Sequence, residues 1–374
     1  MCKGLSYFFC IFMPVFRTYE KQAFFISVFC EDNKCLHIIY KLIVEEKEKM
    51  KFVKGLTISM TAALLLAACG GEETKEEEKQ QETTASEEAS AYPKTFVDGR
   101  GVEVIIEEKP DRIVSTTLAV DEYLVNLTDI ENIVGVTAIS TDPSISNVAD
   151  LTAPVETKFE KVTAEQVIAL DPDLVIIPSY VNPEVLNQLE DAGVVTYQVV
   201  DDASFAGIIE TVETLGDLLD EEENADKLIA DYNERYAAIE EAVAKDEDED
   251  RVLYYTEYLS SVTGNTSIGE MIELAGGTNV VVEAGIVGDE YPDYPNVSKE
   301  LLVDLNPEFI FTTAWDPSGN EPAFVTEWKN DPALANVDAI KNGHIYVLDS
   351  ANVTTASHYV IEGAEDMFDI LSKN

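Results

Sequence analysis

The segment from Ser204 to Lys245 most constrains how this chain can fold. No proline interrupts it, its only glycines are Gly207 and Gly216, and Leu228, Ile229, Tyr232, Tyr236 and Ile239 recur at three- and four-residue intervals. That spacing puts apolar groups on one face of an α-helix. The pattern predicts two helices, the second from about Glu221 to Lys245, where the acidic cluster from Asp246 to Asp250 ends it. A helix of about 25 residues extends about 37 Å, enough to cross from one lobe of a protein to another.

On either side of this segment, short apolar runs alternate with helical patterns. Upstream, strands are expected at residues 113–117, 133–138, 174–178 and 194–199, with helices at 120–127, 163–170 and 183–192. Downstream, strands are expected at 252–255, 309–313 and 345–348. Helices there cover 268–275, stopped by Gly276-Gly277, and 360–371. Short, mainly apolar strands alternating with helices indicate parallel sheets covered on both faces. The chain is therefore expected to be α/β, with an amino-terminal lobe at 92–220, an inter-lobe helix at 221–246 and a carboxy-terminal lobe at 247–374.

Upstream of the lobes, Leu66-Ala67-Ala68-Cys69 closes an apolar run that begins after Lys51 and Lys54. A charged start, a short apolar segment at 56–68 and small residues before a cysteine make residues 50–68 resemble a bacterial lipoprotein signal, with an apolar segment too short to span a bilayer. The resemblance implies that Cys69 is lipidated and that the following chain lies outside the cytoplasmic membrane. Residues 1–49 are expected to be an untranslated upstream extension. Glu45-Glu46-Lys47-Glu48-Lys49 can be encoded by purines alone, as a ribosome-binding site ahead of Met50 would be, and the extension shows no sustained periodicity. Without it Cys69 is the only cysteine, which excludes an intramolecular disulfide and a structural cysteine metal site. Residues 69–91, rich in Glu, Gln, Thr, Ser and Ala, lack the apolar groups needed to order a chain and read as an acidic tether.

Charge bounds the partners. The sequence has 25 Lys and Arg against 72 Asp and Glu; setting aside the 9 basic and 6 acidic residues of positions 1–68 leaves 16 against 66, a net charge of −50. Such a surface repels nucleic acid and anionic headgroups.

Local sequences then sharpen the reading. Arg112-Ile113-Val114-Ser115, Ile133-Val134-Gly135-Val136-Thr137 and Leu170-Asp171-Pro172-Asp173-Leu174-Val175 are similar to landmarks of one family. So are Gly269-Glu270-Met271-Ile272-Glu273-Leu274-Ala275-Gly276-Gly277-Thr278-Asn279 and Lys341-Asn342-Gly343-His344-Ile345-Tyr346. They resemble the helical-linker substrate-binding lipoproteins of ABC transporters that bind ferric siderophores, haem and cobalamin. The resemblance implies two Rossmann-like lobes, a ligand cleft between them and a monomer that hands its cargo to a permease and its ATPase. It implies no enzyme activity and no cofactor. It also implies docking charges at Glu165 in Thr163-Ala164-Glu165-Gln166 and at Glu270 in Gly269-Glu270-Met271-Ile272.

Ligand contacts in such lobes come from loops beyond the carboxyl ends of strands. Candidates are Thr116, Thr117, Tyr180, Tyr258, Tyr291, Trp315, His358 and Tyr359. Aromatic rings at loop tips suit a large planar or macrocyclic ligand. His358-Tyr359 resembles an N/O pair able to approach iron, although a histidine just before a helix more often caps or packs. Arg100, Arg112, Arg235 and Arg251 are the only arginines after Cys69. Few cations disfavour a highly anionic catecholate or citrate complex, and haem propionates share that need. A ferric siderophore of hydroxamate type is expected first, and cobalamin second. No Gly-x-Ser-x-Gly elbow, phosphate loop or histidine pair at metal spacing supports an enzyme. An adhesin would be expected to show repeats, which are absent from the sequence.

Overall fold

The computed structural model describes residues 92–200, 202–245, 250–256, 258, 260–314 and 320–373. The signal segment, Cys69, the tether and Trp315 lie outside these residues.

The fold is α/β. A hairpin of β1 (Lys94–Val97) and β2 (Glu103–Ile106) leads into a five-stranded parallel sheet: β3 (Ile113–Ser115), β4 (Ile133–Thr137), β5 (Thr157–Phe159), β6 (Leu174–Ile177) and β7 (Thr196–Gln198). The strands lie in the order β5-β4-β3-β6-β7. Helices α1 (Leu118–Leu127), α2 (Ala149–Thr152), α3 (Ala164–Ile168) and α4 (Pro183–Asp191) connect them. Two helices follow, α5 (Phe205–Leu219) and α6 (Glu222–Val243). The second sheet is also parallel, ordered β11-β10-β8-β9 from β8 (Arg251–Tyr254), β9 (Thr278–Asn279), β10 (Phe309–Thr313) and β11 (Ile345–Leu348). Its helices are α7 (Ser267–Leu274), α8 (Val280–Glu283), α9 (Lys299–Leu305), α10 (Ala323–Asn330), α11 (Asp338–Asn342), α12 (Ser350–Val353) and α13 (Val360–Leu371).

Local chemistry sets the helix starts. Thr117, Thr163, Ser204, Thr266 and Ser298 each accept a backbone N–H from the first turn of the helix they precede, and Asn182 does so ahead of Pro183. Gly276-Gly277 ends α7 for two reasons. Gly276 has φ of 87°, and a Cβ on Gly277 would lie 2.8 Å from Val252.

One apolar core runs through both lobes. Leu124, Leu127, Ile176 and Val212 belong to the same buried cluster as Tyr232 and Ile239 of α6 and Tyr254, Met271, Phe311 and Met367 of the second lobe. Smaller clusters complete each lobe, one around Val114, Val175 and Ile177 and one around Tyr255, Ile310 and Trp328. Arg235 of α6 adds a two-pronged ion pair to Glu365 of α13, with nitrogen to oxygen distances of 2.8 and 2.5 Å. Lobes that share a core and a long helix resist wide hinge motion.

Candidate functional site

Each sheet reverses its winding once, between β3 and β6 in the first lobe and between β8 and β10 in the second. Crossovers that leave in opposite directions open a crevice beyond the carboxyl ends of those strands. Thr116 and Thr117 follow β3, Tyr180 follows β6, and Tyr258 follows β8, so these candidates stand at the two reversals.

Their side chains have different fates. Thr116 donates its hydroxyl to the Ile176 carbonyl at 2.9 Å, tying β3 to β6. Thr117 accepts the Val120 N–H at 3.3 Å as the cap of α1. Both hydroxyls therefore serve the backbone. Tyr180, Tyr258 and Tyr291 are 77%, 85% and 64% exposed. Tyr291 lies on a loop fastened to the segment after β8. Ser261 N–H donates to the Pro295 carbonyl at 2.9 Å and Thr263 N–H to the Asp293 carbonyl at 3.0 Å. The Asp293 carboxylate accepts from Asn265 and Thr263 at 2.9 and 2.8 Å, and these donors hold its pKa below the usual range. The loop thus presents Tyr291 from a fastened base.

His358 and Tyr359 sit where the lobes meet. The His358 ring is 6% exposed, centred 4.3 Å from Tyr359 and 5.9 Å from Tyr123. Burial, with the Arg235 charge adding to it, lowers its pKa to about 4, so the imidazole is neutral at pH 7. Its Nδ1 is buried with no hydrogen-bond partner among the described residues. Tyr359 accepts from Asn126 of α1 at 3.2 Å.

Two carboxylates that sequence reasoning passed over lie beside this junction, both in α1. Asp121 is wholly buried, accepting the Thr137 N–H at 3.2 Å and the Thr137 hydroxyl. Burial pushes its pKa up to about 7 against the opposing pull of its hydroxyl and amide donors. Glu122 is equally buried and accepts from Thr355, Ser357 and Asn147; burial raises its pKa as well. The available signal was two adjacent acids inside the mainly apolar helix Leu118–Leu127.

The two docking candidates differ. Glu165 is exposed in the first turn of α3. Glu270, half-buried in α7, accepts the backbone N–H of Phe205 at 2.6 Å, so it also secures the start of α5.

A sequence profile described as periplasmic binding protein matches residues 113–351. The chain belongs to that family. Among its relatives is a cobalamin-binding protein of Halobacterium salinarum (strain ATCC 29341 / DSM 671 / R1), 27% identical over 267 residues, which cover 69% of this chain and 71% of the relative. Another is the uncharacterized ABC transporter substrate-binding lipoprotein YvrC of Bacillus subtilis (strain 168), 26% identical over 293 residues, covering 75% and 86%. A solved structure of a possible iron-binding, periplasmic solute-binding protein from Staphylococcus epidermidis ATCC 12228 superposes with a TM-score of 0.60 at 23% identity. That match covers 71% of this chain and 99% of the other, and it shows the shared fold. The chain is accordingly a binding protein rather than an enzyme, and it works outside the cytoplasm with a small-molecule ligand and a membrane permease.

Proposed function

We propose that this chain is the lipid-anchored, monomeric receptor of an ABC importer, and that it captures a ferric siderophore of low negative charge, of the hydroxamate class. Lipid on Cys69 would hold it at the outer face of the membrane. Glu165 and Glu270 would meet cations of the permease, and Tyr180, Tyr258 and Tyr291 would stack on the cargo.

The fate of the arginines supports this cargo class. Arg100 pairs with Asp98 and Glu190, Arg235 with Glu362 and Glu365, and Arg251 with Glu283. Arg112 donates to the carbonyls of Leu170 and Asp171. Each guanidinium already has structural partners, and a strongly anionic chelate needs paired charge once it is enclosed. A second reading, an uncharged corrinoid, meets the same requirement and is favoured by the Halobacterium salinarum relative.

Calorimetric titration of the chain with a ferric trihydroxamate, a ferric triscatecholate, haem and cyanocobalamin tests both. Tightest binding of the trihydroxamate supports the first reading, and saturation by cyanocobalamin alone replaces it with the second. Tightest binding of the triscatecholate or haem would overturn the charge argument.

A further inference from the structure

Glu122 lies in α1 of the first lobe and has no exposed surface. One of its carboxylate oxygens accepts the hydroxyls of Thr355 at 2.5 Å and Ser357 at 2.6 Å. The other accepts the backbone N–H of Asn147 at 3.1 Å and its amide nitrogen at 3.2 Å. Thr355 and Ser357 belong to the second lobe, in the segment between α12 and α13. The bonds therefore cross from lobe to lobe. Neighbouring groups make the same crossing: Tyr123 donates to the Ala356 carbonyl at 2.9 Å, Asn126 to the Tyr359 hydroxyl at 3.2 Å, and Asn147 to the Ala351 carbonyl at 2.8 Å.

The position of these bonds gives them their meaning. Helix α1 starts just past the carboxyl end of β3, and the 354–359 segment follows the carboxyl end of β11. Strand β3 borders the reversal of the first sheet, and β11 lies beside β10, which borders the reversal of the second. Apolar contacts at such a seam can slide, whereas a buried carboxyl group requires its hydrogen-bond partners in place, and those bonds are directional. Among the described residues no Lys or Arg forms an ion pair with Glu122; four donors from two lobes hold it. Pulling the lobes apart would strip two of those donors and leave the carboxylate to water.

We infer that Glu122 is a positioning residue, a pin that fixes residues 354–359 of the second lobe against α1 and so sets how far the cleft opens. It thereby determines where His358 and Tyr359 stand relative to Tyr180 and Tyr258. This role does not depend on the identity of the cargo.

Hydrogen exchange of the full chain, followed by mass spectrometry, tests it in the Glu122→Ala variant without any ligand. Peptides covering 118–127 and 350–359 should exchange about tenfold faster than in the parent, while those covering β6 and β10 keep their rates. The double variant Thr355→Val with Ser357→Ala removes the two crossing hydroxyls with little change in volume. It should give the same local pattern, and it decides the matter if Glu122→Ala does not fold. Unchanged exchange at 350–359, or equal acceleration in every segment, would overturn the pin and make Glu122 a general stabiliser.

Discussion

Replacing Asp121 with Asn should change how stability depends on pH. In the folded chain the Asp121 carboxyl is raised from 3.8 to about 7, chiefly by burial. Between those values the folded state holds a proton that the unfolded chain has released, so stability falls as pH rises. Each unit costs about 1.4 kcal/mol, which makes the full loss about 4 kcal/mol by pH 8. The contribution is fully present below pH 3.8 and gone above about pH 7. Asparagine keeps an oxygen to accept the Thr137 N–H but does not titrate. Urea unfolding of the parent and of Asp121→Asn at half-unit steps from pH 4 to pH 9 measures the difference directly, and other acids cancel in it. The variant should gain on the parent by about 4 kcal/mol across that range. A difference that stays flat with pH would refute the raised pKa and the burial argument behind it.

Other expectations concern the surface and the core. Glu165→Ala and Glu270→Ala should each lower cellular uptake while leaving cargo affinity intact, and lost affinity with normal uptake would sink the docking roles. Only Glu270→Ala should also reduce stability, by about 1 kcal/mol in a urea melt, because the Phe205 N–H loses its acceptor. Tyr180→Ala and Tyr258→Ala should weaken cargo binding by about 0.5–1.5 kcal/mol at an unchanged melting midpoint; unaltered affinity would remove both rings from the cleft. Leu124→Ala, at a fully buried position of the shared core, should cost about 2–5 kcal/mol in denaturant unfolding. Translation from Met50 should yield the same mature lipoprotein by mass spectrometry, and peptides from residues 1–49 would contradict that reading.

Sequence reasoning succeeded where a single local property decides structure. The strands at 309–313 and 345–348 and the helix at 360–371 are observed at those bounds, and the helix expected from Glu221 to Lys245 spans Glu222–Val243. Buried parallel strands are continuous apolar runs, and a long helix repeats its period many times, so both signals are strong. The β1–β2 hairpin was missed because each strand has only four residues, β1 alternating between partial burial and exposure and β2 between exposure and burial, too short a stretch to establish a period. Strands β5 and β9 have three and two residues, too few to show a period, and the strand expected at 194–199 pairs only at Thr196–Gln198.

The candidate site divides along the same line. Loops beyond the strand ends could be named from the alternation of elements, and Tyr180 and Tyr258 are exposed in two of them, while the exposed Tyr291 lies in the loop between α8 and α9. Which polar group is consumed by the scaffold could not. Thr116 and Thr117 are ligand-contact candidates by position, yet the Ile176 carbonyl and the Val120 N–H engage their hydroxyls.

Fold class, family membership, the longer strands and helices and the acidic surface follow from the sequence by itself, because each depends on residues close together or on a sum over all of them. The fate of individual carboxylates does not. Glu122 and Glu165 are both glutamates near helix starts, but one is wholly buried and the other exposed. The difference lies in the donors Thr355 and Ser357, which are 233 and 235 residues away from Glu122 along the chain. Only the packing of one lobe on the other brings them within hydrogen-bond reach, and without them that charge would be too costly to bury.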